Sequence, residues 1–274
     1  MNLEQIEQHL VFGAKQTRYR HYANTLNSEM TFTLFLPENP NDQVISLIWW
    51  LSGLTCTDQN FSQKGQFQRY ANEQNVAIIM PDTSPRGEAH DVSDWDLAQG
   101  ASFYVDATQD PYREHYQMYT YLTEELPELV YPLIPNYSGK ESIMGHSMGG
   151  HGALMIGLKN PERFMAISAF APITNPSQTP WGQKAFEAYL GDKDWTSWDA
   201  TSCLTQATVV PPMLITQGSA DEFYEVQLEE TNFVSAAKAK EANLTYQKVA
   251  GYDHSYYTIA TFIEEHLKFH KQYI

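Results

Sequence analysis

The residues best suited to chemistry lie in the run Ser142-Ile143-Met144-Gly145-His146-Ser147-Met148-Gly149-Gly150-His151-Gly152. Within it, Gly145-His146-Ser147-Met148-Gly149 has the glycine-x-serine-x-glycine spacing of a nucleophile elbow, a strand that turns tightly into a helix with the serine at the apex. The two glycines lack Cβ atoms, so neighbouring backbone can pass close by. The turn lifts the Ser147 hydroxyl above the sheet and aims the first amides of the helix at whatever the hydroxyl attacks. A plain structural Gly/Ser turn is the competing interpretation. The apolar pair before the motif and the Ala/Leu-rich pattern after it disfavour that alternative.

A serine hydroxyl is a poor nucleophile at neutral pH and needs an imidazole to take its proton. The imidazole in turn needs a carboxylate to fix its tautomer and stabilise the cation that forms. Two loops supply candidates. Gln217-Gly218-Ser219-Ala220-Asp221-Glu222 follows an apolar run, and Ala250-Gly251-Tyr252-Asp253-His254-Ser255 follows another. The chain order Ser147, Asp221, His254 is that of an α/β-hydrolase triad. Glu222 and Asp253 are rival carboxylates, either of which could be a solvated loop residue; Asp221 is preferred because it stands closer to its strand end. Among nine histidines, His254 alone combines a strand-end position with this order. His146 and His151 flank the serine but are assigned to the elbow helix, pointing away from the hydroxyl.

The oxyanion formed by such an attack needs two donors. One is expected to be the amide of Met148, the residue after the nucleophile, and the other to come from the loop after an early strand. That loop is Leu51 to Phe61, where Gly53 lets the chain turn its amide inward, so Leu54 N–H is the candidate. An ordinary strand-to-helix loop is the alternative for this segment.

These residues must be held by a framework. Thr31–Leu36 alternates and reads as a half-exposed, antiparallel strand. Val44–Leu51, Val76–Met80, Ser142–Met144, Phe164–Phe170, Met213–Thr216 and Leu244–Val249 read as strands, the first of these nearly all apolar as if buried on both faces. Helical patterns lie at Tyr112–Tyr131, Gly150–Leu158 and Val226–Ala242, where Val226, Phe233 and Ala237 share one face. Another joins Tyr256, Ile259, Ala260, Ile263 and Leu267. Strands alternating with helices predict an α/β fold, a mostly parallel sheet with helices on both faces. Its active-site loops lie at the carboxyl ends of the strands. No linker, repeat or low-complexity tract interrupts the 274 residues, so residues 1–274 read as a single domain.

A chain of this size buries roughly three quarters of its unfolded surface and needs no disulfide or structural metal. The two cysteines, Cys56 and Cys203, read as reduced thiols of a cytoplasmic protein. The polar, acidic Met1-to-Glu7 segment shows no signal peptide, and the longest apolar run, Ile45 to Leu51, is too short for a membrane span. A formal net charge of -16, from 17 Lys+Arg and 33 Asp+Glu, argues against nucleic acid and anionic membranes as partners. Lys64, Arg86 and Lys184 lie near active-site loops and read as solvated surface charges.

The chain resembles the S-formylglutathione hydrolase, or esterase D, family of α/β-hydrolases. The resemblance rests on Trp50-to-Phe61, Pro81-to-Gly87, Tyr119-to-Pro127, Gly145-to-Leu154, Trp181-to-Phe186 and Tyr252-to-Tyr257, which together span nearly the whole chain. It implies a cofactor-free, metal-free cytoplasmic dimer that hydrolyses the small-molecule thioester S-formylglutathione to formate and glutathione in formaldehyde removal, with side activity on small esters. It also implies Ser147 as nucleophile, Asp221 as orienter, His254 as base, and the Leu54 and Met148 amides as the oxyanion hole. Cys56 matches a family cysteine near the site, though a small buried hydrophobe is the equal alternative. Trp181 matches a tryptophan on the acyl side, with core packing as its alternative. A general short-chain carboxylesterase or an acyltransferase of the same fold shares every catalytic residue; a non-catalytic binding module would not need them.

Overall fold

The computed structural model describes residues 3–39, 41–87, 90, 92–192 and 194–274; Met1 and Asn2, with which the acidic leading segment begins, lie outside them. Nine strands form one sheet in the order β1-β2-β3-β5-β4-β6-β7-β8-β9. They are β1 Glu4–Val11, β2 Ala14–Ala23, β3 Ser28–Leu36, β4 Ile45–Leu51, β5 Val76–Pro81, β6 Tyr137–His146, β7 Phe164–Phe170, β8 Met213–Gly218 and β9 Leu244–Val249. From β5 to β9 every neighbour pair is parallel, and β1, β2, β3 and β5 pair antiparallel. This is the sheet of an α/β-hydrolase.

The helices are α1 Asp58–Lys64, α2 Gln68–Glu73, α3 Met118–Thr120, α4 Leu126–Val130, α5 Met148–Lys159, α6 Pro180–Leu190, α7 Ala200–Gln206, α8 Thr231–Ala239 and α9 Tyr256–Lys271. A π-helical turn, Tyr121–Glu125, joins α3 to α4. Because side chains alternate along a strand, the adjacent Trp49 and Trp50 of β4 enter two different cores. Trp49 joins Phe164, Tyr104 and the α5 aliphatics. Trp50 stacks on Phe61 of α1 at 3.6 Å between ring centroids, in the core that also takes Ile259, Ile263 and Leu267 of α9. Both faces of the central strands are therefore covered, which is why β4, β5 and β8 are buried at every position.

Several sequence expectations change. β3 is not half-exposed: Thr31 and Thr33 donate their hydroxyls to the buried carboxylate of Asp58, which also receives Arg18. β1 and β2 were not foreseen, because β1 is exposed along nearly its whole length and carries no apolar period. The helix read from Tyr112 begins at Met118, with turns before it. In the Val226–Ala242 segment only Thr231–Ala239 is α-helical; Phe233 and Ala237 face the core, whereas Val226 lies in a π-turn and is 58% exposed.

Among the described residues six histidines are buried, His21, His90, His146, His151, His266 and His270, and burial lowers the pKa of all six. On α9, His266 bonds Ser168 (2.9 Å) and Thr216 (2.9 Å), and His270 bonds Ser168 (2.8 Å), tying the helix to β7 and β8. Burial pushes His270 down to about 3 and His151 to about 4, and depresses His146 and His266 well below the ordinary imidazole range. In the unfolded chain each would titrate near pH ~6.5. Their contribution to stability is therefore complete above that pH and is lost as pH falls toward the folded values. Unfolding free energy should decline from about pH 6 to pH 4, and His151→Leu should remove one proton from that slope, about 1.4 kcal/mol per pH unit. Urea unfolding across this range reads the slope directly; an unchanged slope in the variant would mean that His151 takes up its proton while folded.

Candidate active site

The strand register assembles the site. Leu51, Gly145, Ala169 and Ile215 lie side by side across β4, β6, β7 and β8, and Gly218 pairs with Val249 of β9. The loops after β4, β6, β8 and β9 thus leave the same sheet edge together, as expected for the carboxyl ends of parallel strands.

Ser147 sits between β6 and α5 with φ 58° and ψ -120°, a backbone conformation that costs a non-glycine residue of order 1–3 kcal/mol. The surroundings hold it there. Its amide donates to the Phe170 carbonyl (2.9 Å), and its carbonyl accepts from His151 (2.9 Å) and Ile173 (3.2 Å). A Cβ on Gly145 would lie 2.2 Å from the Gly149 carbonyl oxygen, and one on Gly149 would lie 2.1 Å from that of Leu51. Both contacts are with backbone, so these two positions need glycine.

The Asp221 carboxylate is buried just past β8 and accepts from His254 Nδ1 at 2.7 Å. Gln217 Nε2 donates to the same Oδ2 at 3.0 Å, and the Phe223 amide donates to Oδ1 at 3.0 Å. The two loops meet because Gly218 presses against the Tyr252 carbonyl, where a Cβ would lie 2.2 Å from the oxygen. Of the rival carboxylates, Glu222 is exposed, and Asp253 bonds the amide and hydroxyl of Ser255 at the start of α9. With Nδ1 engaged as donor to the carboxylate, His254 has Nε2 free as an acceptor. His254 and Ser147 line one cavity of about 200 Å³ with Gly53, Leu54 and Cys56.

The loop after β4 rests on the elbow: a Cβ on Gly53 would stand 3.2 Å from both the His146 carbonyl oxygen and Ser147 Cβ. In that loop the Thr55 and Cys56 amides donate to the Gly100 and Gly53 carbonyls, whereas Leu54 has no backbone acceptor among the described residues. Met148 opens α5, where first-turn amides lack intrahelical acceptors. Both amides stay available to an anion.

Around the cavity, Trp181 lies 5.0 Å from Phe223, and Phe223 meets the His254 ring edge-on at 5.0 Å. Cys56 opens on the same space, and burial raises its thiol above the ordinary range. His146 departs from expectation. It ends β6 rather than lying on the helix, and its ring is 4.5 Å from that of His254. Arg86 is not a solvated charge, since it bonds Asp82 (2.9 Å) and the Cys56 carbonyl (2.7 Å) and so braces the loop. Lys184 pairs with Asp94 and Asp96, and Lys64 lies 6.0 Å from the Tyr256 ring. Phe223 and Trp95, which also line the cavity, were not foreseen. Trp95 carries one usable signal, an indole set between Asp94 and Asp96 in a polar stretch.

An elbow serine, an imidazole held by a buried carboxylate, and the amides of Leu54 on the cavity and of Met148 next to the serine can perform acyl transfer through a covalent intermediate. The fold and this site define a serine hydrolase acting on esters or thioesters. Residues 23–270 match the Esterase family, and the chain belongs to it. It is 45% identical to an S-formylglutathione hydrolase from Agrobacterium tumefaciens, covering 100% of this chain and 99% of that one, with a TM-score of 0.95. The fold recurs at lower identity in a fluorophosphonate-binding serine hydrolase of Staphylococcus aureus (20%, 94% and 98% covered, TM-score 0.75). It recurs again in a ferulic acid esterase of Anaeromyces mucronatus (16%, 94% and 91% covered, TM-score 0.61).

Proposed function

We propose that this chain is an S-formylglutathione hydrolase, converting S-formylglutathione and water to formate and glutathione. The observation that carries the proposal is the 2.7 Å His254–Asp221 bond on the same small cavity as Ser147, in a chain with the full-length similarity just described. Ser147 Oγ attacks the formyl carbon as His254 Nε2 takes its proton. The Leu54 and Met148 amides hold the oxyanion, each worth about 3 kcal/mol of barrier. Collapse expels the glutathione thiolate, which receives the proton from His254. Water then attacks the formyl-serine, His254 again acting as base, and formate leaves. Trp181 limits the acyl side, so a formyl group fits where longer chains crowd. Cys56, beside the serine, is a place where thiol modification would block the pocket without touching the chemistry.

Among the described residues no helix is long and apolar enough to cross a membrane. The reading includes a single domain over residues 1–274, a cytoplasmic setting, a homodimer and a role in formaldehyde catabolism, and it takes a small-molecule substrate. The deciding experiment compares kcat/KM for S-formylglutathione and p-nitrophenyl acetate. The thioester should be favoured by at least about tenfold, or about 1.4 kcal/mol of transition-state binding. Equal or reversed preference would identify a general short-chain carboxylesterase, and ester products formed with added alcohol would identify an acyltransferase.

A further inference from the structure

One face of α6 braces a loop that reaches the cavity. Trp181 meets Trp95 edge-on, with ring centroids 5.8 Å apart. Three residues along the helix, Lys184 Nζ bonds Asp96 Oδ1 at 2.5 Å and Asp94 Oδ2 at 3.2 Å, the two neighbours of Trp95. Further along, the Tyr189 hydroxyl accepts from the Ala98 amide (2.8 Å) and donates to the Ala101 carbonyl (2.8 Å). Trp95 itself is 60% exposed yet lines the same cavity as His254. A large indole held so far into solvent has little burial of its own to fix it. Its position therefore depends on the lysine that grips both flanking carboxylates and on the tryptophan it leans against.

We propose that Trp95 is a specificity-determining wall of the acyl side, and that Lys184 is its positioning residue. The inference deepens the hydrolase reading above and rests on it. Trp95 and Trp181 together limit how far an acyl chain can extend from the carbonyl held over Ser147. Lys184 touches no substrate; it acts by pinning Asp94 and Asp96 so that the indole between them stays against Trp181. Asp96 is largely buried and Asp94 about half exposed, so the Asp96 arm supplies most of the restraint.

The test measures kcat/KM on p-nitrophenyl acetate, butyrate and hexanoate for wild type, Trp95→Ala, Lys184→Met and Lys184→Arg. In wild type the acetate should be strongly preferred. Trp95→Ala should lower the acetate-to-hexanoate ratio by about tenfold, the scale on which a pocket discriminates by one or more methylenes. Lys184→Met should lower it part of the way, and Lys184→Arg should restore it. A role confined to stability would move all three esters together and leave the ratio fixed. An unchanged ratio in either Trp95→Ala or Lys184→Met would overturn the proposal. Should Lys184→Met not fold, Asp96→Asn, which weakens the arm supplying most of the restraint, carries the same test, and an unchanged ratio there would overturn the proposal. Because nitrophenyl esters report any acyl transfer to Ser147 and need no glutathione moiety, these ratios are readable even if S-formylglutathione proves not to be a substrate.

Discussion

Ser147→Ala should lower kcat/KM by at least about 10⁴-fold on every ester and thioester substrate, the scale of loss when a nucleophile that acts as a unit with its base is removed. The residual rate comes from the two oxyanion amides and from binding, neither of which the substitution touches. The fold should survive. Alanine has the same Cβ as serine and meets the same backbone demand at φ 58°, and Ser147 provides no side-chain bond to α5 that alanine would lose. Single-turnover assays on a sample with wild-type thermal unfolding check both halves of the expectation. Substantial turnover would mean that another group attacks the carbonyl.

Asp221→Asn should cost about 10⁴-fold in kcat, and its cause can be followed atom by atom. The carboxylate accepts three bonds, from His254, Gln217 and the Phe223 amide. Asparagine has one accepting oxygen. If it satisfies the Phe223 amide at the Oδ1 position, its NH₂ faces His254 and the Gln217 amide, donor against donor. The imidazole then has to accept at Nδ1 and carry its proton on Nε2, where it can no longer take one from Ser147. Glu222→Gln, at an exposed side chain, should leave kcat within about twofold. A pH profile of kcat/KM separates the cases: loss at all pH values marks Asp221, and a comparable loss in Glu222→Gln would mean that the orienting carboxylate has been misassigned.

Most of the site could be read from the sequence because its chemistry is local. The elbow is five consecutive residues, and Asp221 and His254 each lie in the loop after a strand, so chain order and strand ends picked out the candidates. The central strands were legible for the same reason: burial leaves an unbroken apolar run in β5 and runs broken by a single serine, Ser46 or Ser168, in β4 and β7. β1 escaped because an exposed edge strand has no apolar period to offer; it is held by the backbone ladder and by polar side-chain pairs such as Arg20 with Glu4. The burial of Thr33 and the partial burial of Thr31 escaped because they depend on Asp58, a carboxylate far along the chain. Trp95 and Phe223 were missed as cavity residues for a related reason. An aromatic ring in a loop gains its role from what lies across the pocket, here Trp181 and His254, and sequence neighbours carry no trace of that. His146 was placed on the wrong element because the strand runs two residues beyond its last aliphatic side chain, through Gly145 to His146.

The most direct measurement is peptide mass mapping after brief exposure of wild type and His254→Ala to a fluorophosphonate that labels activated serines. A single adduct on Ser147, formed rapidly in wild type and far more slowly in His254→Ala, is the expected result. An adduct on a different residue, or equally fast labelling of Ser147 without the imidazole, would contradict the assignment of Ser147, His254 and Asp221 as one working unit.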